Sequence, residues 1–330
     1  MSISVLIPAY NCSRTIQATL DSVLSQTLPP DEVIVVDDGS TDNTSAILDS
    51  YGQQITVLRQ PNRGAAAARN ALVKKAGGDL VAFLDSDDLW NPTYLEVQRR
   101  LFEEHPHAAA FFTGHLNFFG YGSFNWAAIS VDSQVQTEVI GPLDFLKRYN
   151  ATGTLASMSY CCVTKEVLME LGSEPFCVSG AEDAYFCNSL PLLRRPVAYV
   201  PLPLVAYRTT SSSQSADQSK VYGLLVEVFR LHRERYERQT EGDLFAAFRS
   251  AFASKRRTYA KILMRKGRIL DARRQFWLSL GDSASPLSRA KSLALLFLSH
   301  MPPKLQPNWP TTTRPLATSG EATDPDDAVT

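Results

Sequence analysis

Asp85, Asp87 and Asp88 place three carboxylates within four positions, directly after the apolar run Leu80-Val81-Ala82-Phe83-Leu84. Carboxylates so close together repel one another, and burial strengthens the repulsion. A divalent cation carrying a phosphate-bearing ligand would hold them in place. The plainer alternative is a solvated turn leading into a helix N-cap at Asp88, shortly before Pro92. Two further acidic groups stand apart in the chain. Asp37-Asp38 precedes Gly39-Ser40-Thr41-Asp42, a sequence suited to an Asx-turn. Glu182-Asp183 falls in the first turn of a predicted helix, where the dipole favours negative charge.

The elements that must position these groups can be read from apolar spacing. Five apolar residues without alternation before Asp85 predict a strand buried on both faces. Ile3 to Ile7, ended by Pro8, predicts a first strand with its turn at Ala9-Tyr10-Asn11. Ile16, Leu20, Val23 and Leu24 fall at helical spacing, with Asn11 and Ser13 offering caps and Pro29-Pro30 a stop. Glu32 to Val36 and Ile55 to Leu58 predict strands. An alanine-rich helix from Ala65 to Ala76 is expected to be closed by Gly77-Gly78, and another helix runs from Pro92 to Glu104. Strands and helices alternating at this spacing predict an α/β fold built on a doubly wound, mostly parallel sheet. Ligands of such sheets sit beyond the carboxyl ends of the strands, where the acids lie.

The middle of the chain is less regular. Ala109 to Phe112, Met158 to Val163, Val197 to Val200 and Leu204 to Tyr207 predict strands, and Gly114 to Gln136 a loop or hairpin over the site. Thr209 to Ser219 is rich in Ser, Thr and Gln and predicts a mobile connection. From Lys220 to His300 the spacing turns helical (Leu224, Val228, Leu231, then Ile262, Leu263, Ile269, Phe276, Leu280). A break at Lys266-Gly267-Arg268 implies a helical hairpin. From Pro302 the chain is Pro-, Thr- and Asp-rich, which predicts a disordered tail. The expected organisation is therefore a domain over 1–215 with halves at 1–105 and 106–215, a helical extension over 219–300 and a tail over 301–330.

Composition narrows the class. With 44% hydrophobic and 20% charged residues in 330, the chain reads as a globular protein able to bury a core. Its net charge of -1 hides an asymmetry. The 219–300 segment holds 17 Lys and Arg against 7 Asp and Glu. Such clusters are usually solvated helix faces; the sharper reading is peripheral contact with an anionic membrane. No stacking or groove-reading motif accompanies the charge, so nucleic acid is not an expected partner. Five cysteines without a Cys-x-x-Cys pair suggest neither a disulfide framework nor a thiolate metal site. With strand-like residues beginning at once, the expected location is cytoplasmic, or peripheral at the inner membrane face. Leu293 to Leu298 is far short of the ~20 residues a bilayer span needs.

The strand-end motifs also carry a resemblance. Pro8-Ala9-Tyr10-Asn11, Asp37-Asp38-Gly39-Ser40-Thr41-Asp42 and Asp85-Ser86-Asp87-Asp88 occur in that order. Asn62-Arg63-Gly64 and Ala68-Arg69-Asn70 lie between them, and Gln26-Thr27 and Pro92 are in step. Over residues 3–105 this run closely resembles the inverting family 2 glycosyltransferases of GT-A fold. The resemblance implies a nucleotide-sugar donor whose base meets Asp38, with Pro8, Ala9 and Tyr10 lining the same pocket. A carboxylate there selects a ring N–H, which uracil, thymine and guanine possess. It further implies Asp85 and Ser86 in donor binding, Asp87 as ligand of a divalent metal (Mn²⁺ or Mg²⁺), and Arg69 near the base or phosphates, unless Arg69 is a surface residue of its helix. Glu182-Asp183 resembles the family's Glu-Asp pair, which implies Asp183 as base for an acceptor hydroxyl and Glu182 as the group orienting either the acceptor or Asp183. Asp88 is expected to be a cap or a supporting residue.

The implied activity is transfer from a uridine diphosphate sugar to a glycan or lipid-linked acceptor in polysaccharide or glycolipid assembly. A sugar nucleotidyltransferase would want a Gly-rich, Lys- or Arg-bearing loop after the first strand, and Pro8-Ala9-Tyr10-Asn11 is not one. A catalytically silent nucleotide-sugar binder is the non-enzyme alternative. One departure stands out: Tyr207-Arg208-Thr209-Thr210 has threonine where the family often has histidine, which leaves Arg208 as the group able to approach a diphosphate. His105, His107, His115, His232 and His300 show no ligand spacing and are assigned no chemistry.

Overall fold

The computed structural model describes residues 1–121, 124–129, 135–152, 155–209, 217–240 and 242–301. Most of the 209–219 connection, Thr210 included, and the 302–330 segment lie outside the described residues, as does part of the 114–136 stretch.

The first half is built as its apolar spacing predicts. β1 (Ile3–Ala9), α1 (Ile16–Leu24), β2 (Glu32–Asp37), α2 (Thr44–Ser50), β3 (Thr56–Arg59), α3 (Ala65–Lys75) and β4 (Leu80–Phe83) alternate along the chain. β1 pairs in parallel with β2 and β4, and β2 with β3. The carboxyl ends of β1, β2 and β4 therefore reach one edge together. β1 and β4 are buried almost throughout, which is why they lack alternation.

The second half follows as β5 (Leu89–Trp90), α4 (Tyr94–Glu104), β6 (Ala110–Phe119), β7 (Glu138–Ile140), α5 (Pro142–Thr152), β8 (Cys161–Thr164), α6 (Lys165–Leu171), α7 (Glu182–Ser189) and β9 (Val197–Thr209). The nine strands of the described residues form one sheet in the order β3-β2-β1-β4-β8-β6-β9-β5, with β7 alongside β9. β8 is antiparallel to both β4 and β6, and so welds the parallel first half to the second.

Several local expectations are corrected. The α1 N-cap is Thr15, without a side-chain cap bond. Asn11 and Ser13 instead tie the first turn to the second: Thr41 N–H donates to Asn11 Oδ1 (2.8 Å), and Ser13 N–H to Asp42 Oδ2 (3.1 Å). Gly77-Gly78 forms no left-handed cap; α3 ends at Ala76 with ordinary negative φ. Gly78 is needed for close approach, because a Cβ there would lie 2.5 Å from Ser4 Oγ. The two short strands expected at 197–207 are one strand, β9. It pairs in parallel with β6 through a register shift at Gly114, opposite Pro201 and Pro203, whose missing N–H groups interrupt the ladder. The loop or hairpin expected at 114–136 is replaced at its start by β6 itself, and Met158–Tyr160 is a 3₁₀ turn rather than strand. Asp88 is no cap: α4 starts after Thr93, and Asp88 accepts a bond from Arg208 N–H (2.8 Å).

Beyond the sheet come α8 (Gln218–Gln239), α9 (Gly242–Arg265), α10 (Ile269–Asp282) and α11 (Pro286–Leu298). Gly267, at φ +72°, makes the expected turn between α9 and α10. The extension is packed onto the sheet domain: Leu146 of α5 joins Val226, Phe229, Tyr236, Phe248 and Phe252 in one buried cluster. Tyr236 Oη donates to the Asn188 carbonyl (2.8 Å) across the same boundary.

Candidate active site

The acidic turn after β4 is fixed by its surroundings rather than by its own sequence. Thr15 Oγ1 (2.9 Å) and Thr19 Oγ1 (3.1 Å) of the α1 region donate to the Ser86 carbonyl, and Thr19 Oγ1 also to that of Asp88 (2.9 Å). Asp85 N–H donates to Ser159 Oγ (3.1 Å), and Trp90 Nε1 to the Ser159 carbonyl (2.7 Å). The second half of the chain thus holds the acids of the first.

After β2, the two adjacent acids divide the roles that the sequence left open. Asp37 forms the turn, accepting from Ser40 N–H (2.9 Å) and from the Ser45 hydroxyl. Asp38 accepts from Gln60 Nε2 (2.7 Å), Arg63 N–H (2.9 Å) and Gly64 N–H (2.7 Å). Three of a carboxylate's roughly four acceptor positions are then used, leaving about one for a ring N–H.

Arg69 is not a surface residue. It is buried on α3, and its guanidinium grips Asp85 through one terminal nitrogen and Glu182 Oε1 through the other (2.5 Å), with Asp183 Oδ1 3.8 Å away. The neighbouring Asn70 fixes the segment leading to that acidic pair. Its amide donates to the Phe176 carbonyl (2.8 Å) and accepts from Phe176 N–H (3.1 Å). Both acids stand in the first turn of α7, with Gly180 N–H bonded to Glu182 Oε2 (2.5 Å). Glu182 therefore orients Arg69, not Asp183 directly. Asp183 Oδ2 accepts from Ser157 Oγ (2.9 Å) and Met158 N–H (3.3 Å).

These groups open onto a single cleft of about 680 Å³. Pro8, Ala9, Tyr10, Asp38, Arg69, Asp85, Ser86, Asp87, Glu182 and Asp183 all line it. The cleft also contains residues that sequence reasoning passed over. His115 and Asn117 reach it from β6, two residues apart and so on one face of the strand. Tyr149, Tyr160 and Tyr207 complete an aromatic wall, with His115 stacked on Tyr160 at 4.7 Å between ring centroids. Burial lowers the His115 pKa, which favours the neutral ring. No spacing rule could find this wall, because its members come from β6, α5, a 3₁₀ turn and β9.

Electrostatics single out two carboxyls. Burial raises the Asp183 pKa; Arg69 pulls it down, Asp85 and Glu182 push it up, and it stands at about 6. Burial and the charge of Asp85 likewise bring Asp87 to about 6. Asp88 is raised well above the usual carboxyl range by burial and then by Asp87 and Asp85, and its Oδ2 has no hydrogen-bond partner among the described residues. Such a strip of under-compensated carboxyl oxygens fits a hard divalent cation. Among the described residues no three His, Cys, Asp or Glu side chains are grouped to hold one unaided. A Mg²⁺-type site made of one or two carboxylates and substrate phosphates requires no such group. Arg208 closes this end: its Nε donates to the Asp87 carbonyl (2.7 Å), another nitrogen to the Gly120 carbonyl, and one terminal nitrogen has no partner among the described residues.

Comparison with known proteins agrees with the geometry. Residues 4–164 match the family model "Glycosyl transferase family 2". The chain is 38% identical over 136 residues to a chondroitin synthase of Pasteurella multocida, covering 39% of this chain and 14% of that protein. It is 44% identical over 103 residues to the Escherichia coli UDP-Glc:alpha-D-GlcNAc-diphosphoundecaprenol beta-1,3-glucosyltransferase WfaP, covering 31% and 41%. The matches thus span less than half the length of either relative. The fold is similar to that of S. aureus TarS 1–349 in complex with UDP-GlcNAc: the TM-score is 0.63 at 20% identity, over 91% of this chain and 90% of that one.

Proposed function

This chain belongs to glycosyl transferase family 2, and from that premise we propose that it moves a sugar from a uridine diphosphate sugar to an acceptor hydroxyl, with inversion at the anomeric carbon. The observation that carries the proposal is the convergence of Asp38, Asp85, Asp87 and Asp183, drawn from three separate elements, on one cleft. The remaining acceptor position of Asp38 would take the N–H of the uracil ring, between Ala9 and Tyr10. Asp85, held by Arg69, is available to a ribose hydroxyl. Asp87, with Asp88 behind it, would hold a divalent metal (Mn²⁺ or Mg²⁺), which when bound supplies charge neutralisation to the diphosphate leaving group. Asp183 at about pKa 6 is mostly ionised at neutral pH and still basic enough to take a proton from an attacking hydroxyl. Ser157 and Met158 N–H aim its carboxylate, and the Tyr160 and Tyr207 wall offers a stacking face for a sugar acceptor.

The donor assignment has support in the relatives' names, since WfaP is named for UDP-Glc and TarS was solved with UDP-GlcNAc. A lipid-linked glycan acceptor follows the same line, WfaP being named for a diphosphoundecaprenol substrate. The test is incubation of the full chain with UDP sugars and Mg²⁺ or Mn²⁺, with and without acceptor. Release of UDP, stimulated by acceptor, is the expected result. Formation of UTP and sugar phosphate when pyrophosphate is added to the UDP sugar would instead identify a nucleotidyltransferase. Donor binding without turnover, unaffected by Asp183→Asn, would identify a silent binder.

A further inference from the structure

The last two helices bury one apolar side and expose a second. α10 and α11 form an antiparallel pair joined by polar contacts. Arg273 reaches the Ser299 carbonyl (2.9 Å), Ser279 Oγ meets Ser292 Oγ (2.9 Å), and Ser288 Oγ meets Ser283 Oγ (3.1 Å). Ser292 is the one fully buried residue of α11. Leu295 and Leu296 pack inward against the cluster of Ala260, Leu263 and Phe276, whereas Leu287, Leu293 and Phe297 face the other way and are 68%, 54% and 71% exposed. At 100° per residue they share one stripe with Ala290 and Ala294. Arg289 borders that stripe on one side and Lys291 on the other, and α11 has no acidic residue. α10 repeats the pattern, with Leu270 and Trp277, 79% and 65% exposed, on one face with Arg274 between them.

A helix on a water-facing surface turns its apolar residues inward, as α11 does with Leu295 and Leu296, and carries no second apolar stripe. An outward stripe edged by basic residues is the form of a helix lying in the plane of a membrane interface, and Trp is enriched at that depth. α11, at 13 residues, is roughly 20 Å long and too short for a hydrocarbon core of about 30 Å. Among the described residues no helix is long and apolar enough to cross a membrane. We propose that α11, with Leu270 and Trp277 of α10, lies flat on an anionic lipid bilayer. The charge argument selects this occupant: the flanks of the stripe are cationic and the 219–300 segment carries a surplus of about ten positive charges, which suits a negative lipid surface.

The test is sedimentation of the full chain with phosphatidylcholine vesicles, with and without phosphatidylglycerol. Binding is expected only with the anionic lipid and should weaken as salt rises. The triple change Leu287→Ser, Leu293→Ser, Phe297→Ser should cost about a hundredfold or more in partitioning. Arg289→Gln and Lys291→Gln should each cost about fivefold. Quenching of wild-type fluorescence by brominated lipid should be lost in Trp277→Phe. All of these side chains are at the surface, so thermal melting should be unchanged, as should turnover of a water-soluble acceptor. Vesicle binding is read without turnover, so its outcome is independent of the transfer reaction. Three results would overturn the proposal. One is no binding to either vesicle. Another is a self-associated chain that the triple change splits into monomers, which would assign the face to a second copy. The last is binding that emerges only after removal of residues 302–330, which would assign the face to the chain's own C-terminal segment.

Discussion

The two walls of the cleft hold their acids differently. On the nucleotide side, the carboxylates at the end of β2, Asp37 and Asp38, are surrounded by short-range donors from the turns beside them. Asp42, behind that wall, shows the effect: against the cost of burial, the combined bonds from Thr44 and Ser13 lower it to about 2. On the acceptor side, Asp183 stands among Tyr149, Tyr160 and Tyr207, with Ser157 and Met158 as its donors among the described residues, and is raised to about 6. A carboxylate saturated with donors is a good binding group and a poor base. One left in an apolar wall with few donors is the reverse. Asp87, also at about 6, is the exception on the nucleotide side, and in the function proposed above a cation takes the place of its proton.

The strongest way to break this comparison is to neutralise each wall in turn. Asp183→Asn should lower kcat by about 10³-fold while leaving the donor Kd within about twofold, because nothing on the nucleotide wall changes. Asp87→Asn should instead weaken donor binding and abolish its dependence on Mg²⁺, read by calorimetry with and without the ion. Equal losses of donor affinity from both changes would mean that the walls do not divide the work.

Arg69 is the bolt between the walls, touching Asp85 on one side and Glu182 on the other. Arg69→Met would leave two carboxylates beside an apolar side chain and should destabilise the fold by about 3 kcal/mol, measured by urea unfolding. Unchanged stability would show that the sheet alone joins the halves.

The pH dependence sharpens the same point. The kcat/KM profile should rise with pH through about 6, as Asp183 and Asp87 lose their protons. Since a cation competes with the proton on Asp87, raising Mg²⁺ should move that part of the limb to lower pH and leave the Asp183 part in place. For stability the sign is opposite. Both pKa values lie above that of an unfolded aspartate, so these groups favour the fold at low pH and lose that contribution as pH rises through about 6. The Tm difference between pH 5 and pH 7 should shrink in Asp183→Asn.

The smallest expected effect is at the seam. Trp90→Phe removes the bond to the Ser159 carbonyl and leaves that buried acceptor without its donor. The cost should be about 1–2 kcal/mol, with a modest rise in donor KM as Ser159 loosens its hold on Asp85 N–H.

Much of the nucleotide wall was legible because parallel strands place sequence motifs at one edge by rule. Unbroken apolar runs identify β1, β2 and β4, and whatever follows them must face the same crevice. The acceptor wall obeys no such rule. The apolar runs Val197 to Val200 and Leu204 to Tyr207 suggest two strands, whereas β9 is continuous and a register shift at Gly114 absorbs the prolines between them. His115 was set aside for lacking ligand spacing, although that shift and the alternation of β6 deliver it to the cleft.

What the sequence determined alone is therefore the inventory and its order: which acids follow which strands, which helices return, and which family the strand-end motifs resemble. Only the tertiary structure decided their roles, because each depends on contacts between residues far apart in the chain. Asp37 rather than Asp38 forms the turn since Gln60 and Gly64 claim the other carboxylate. Arg69 is a buried link since Glu182, 113 positions away, meets it. Periodicity is local and can be read along a chain, whereas charge compensation and burial belong to neighbours that exist only after folding.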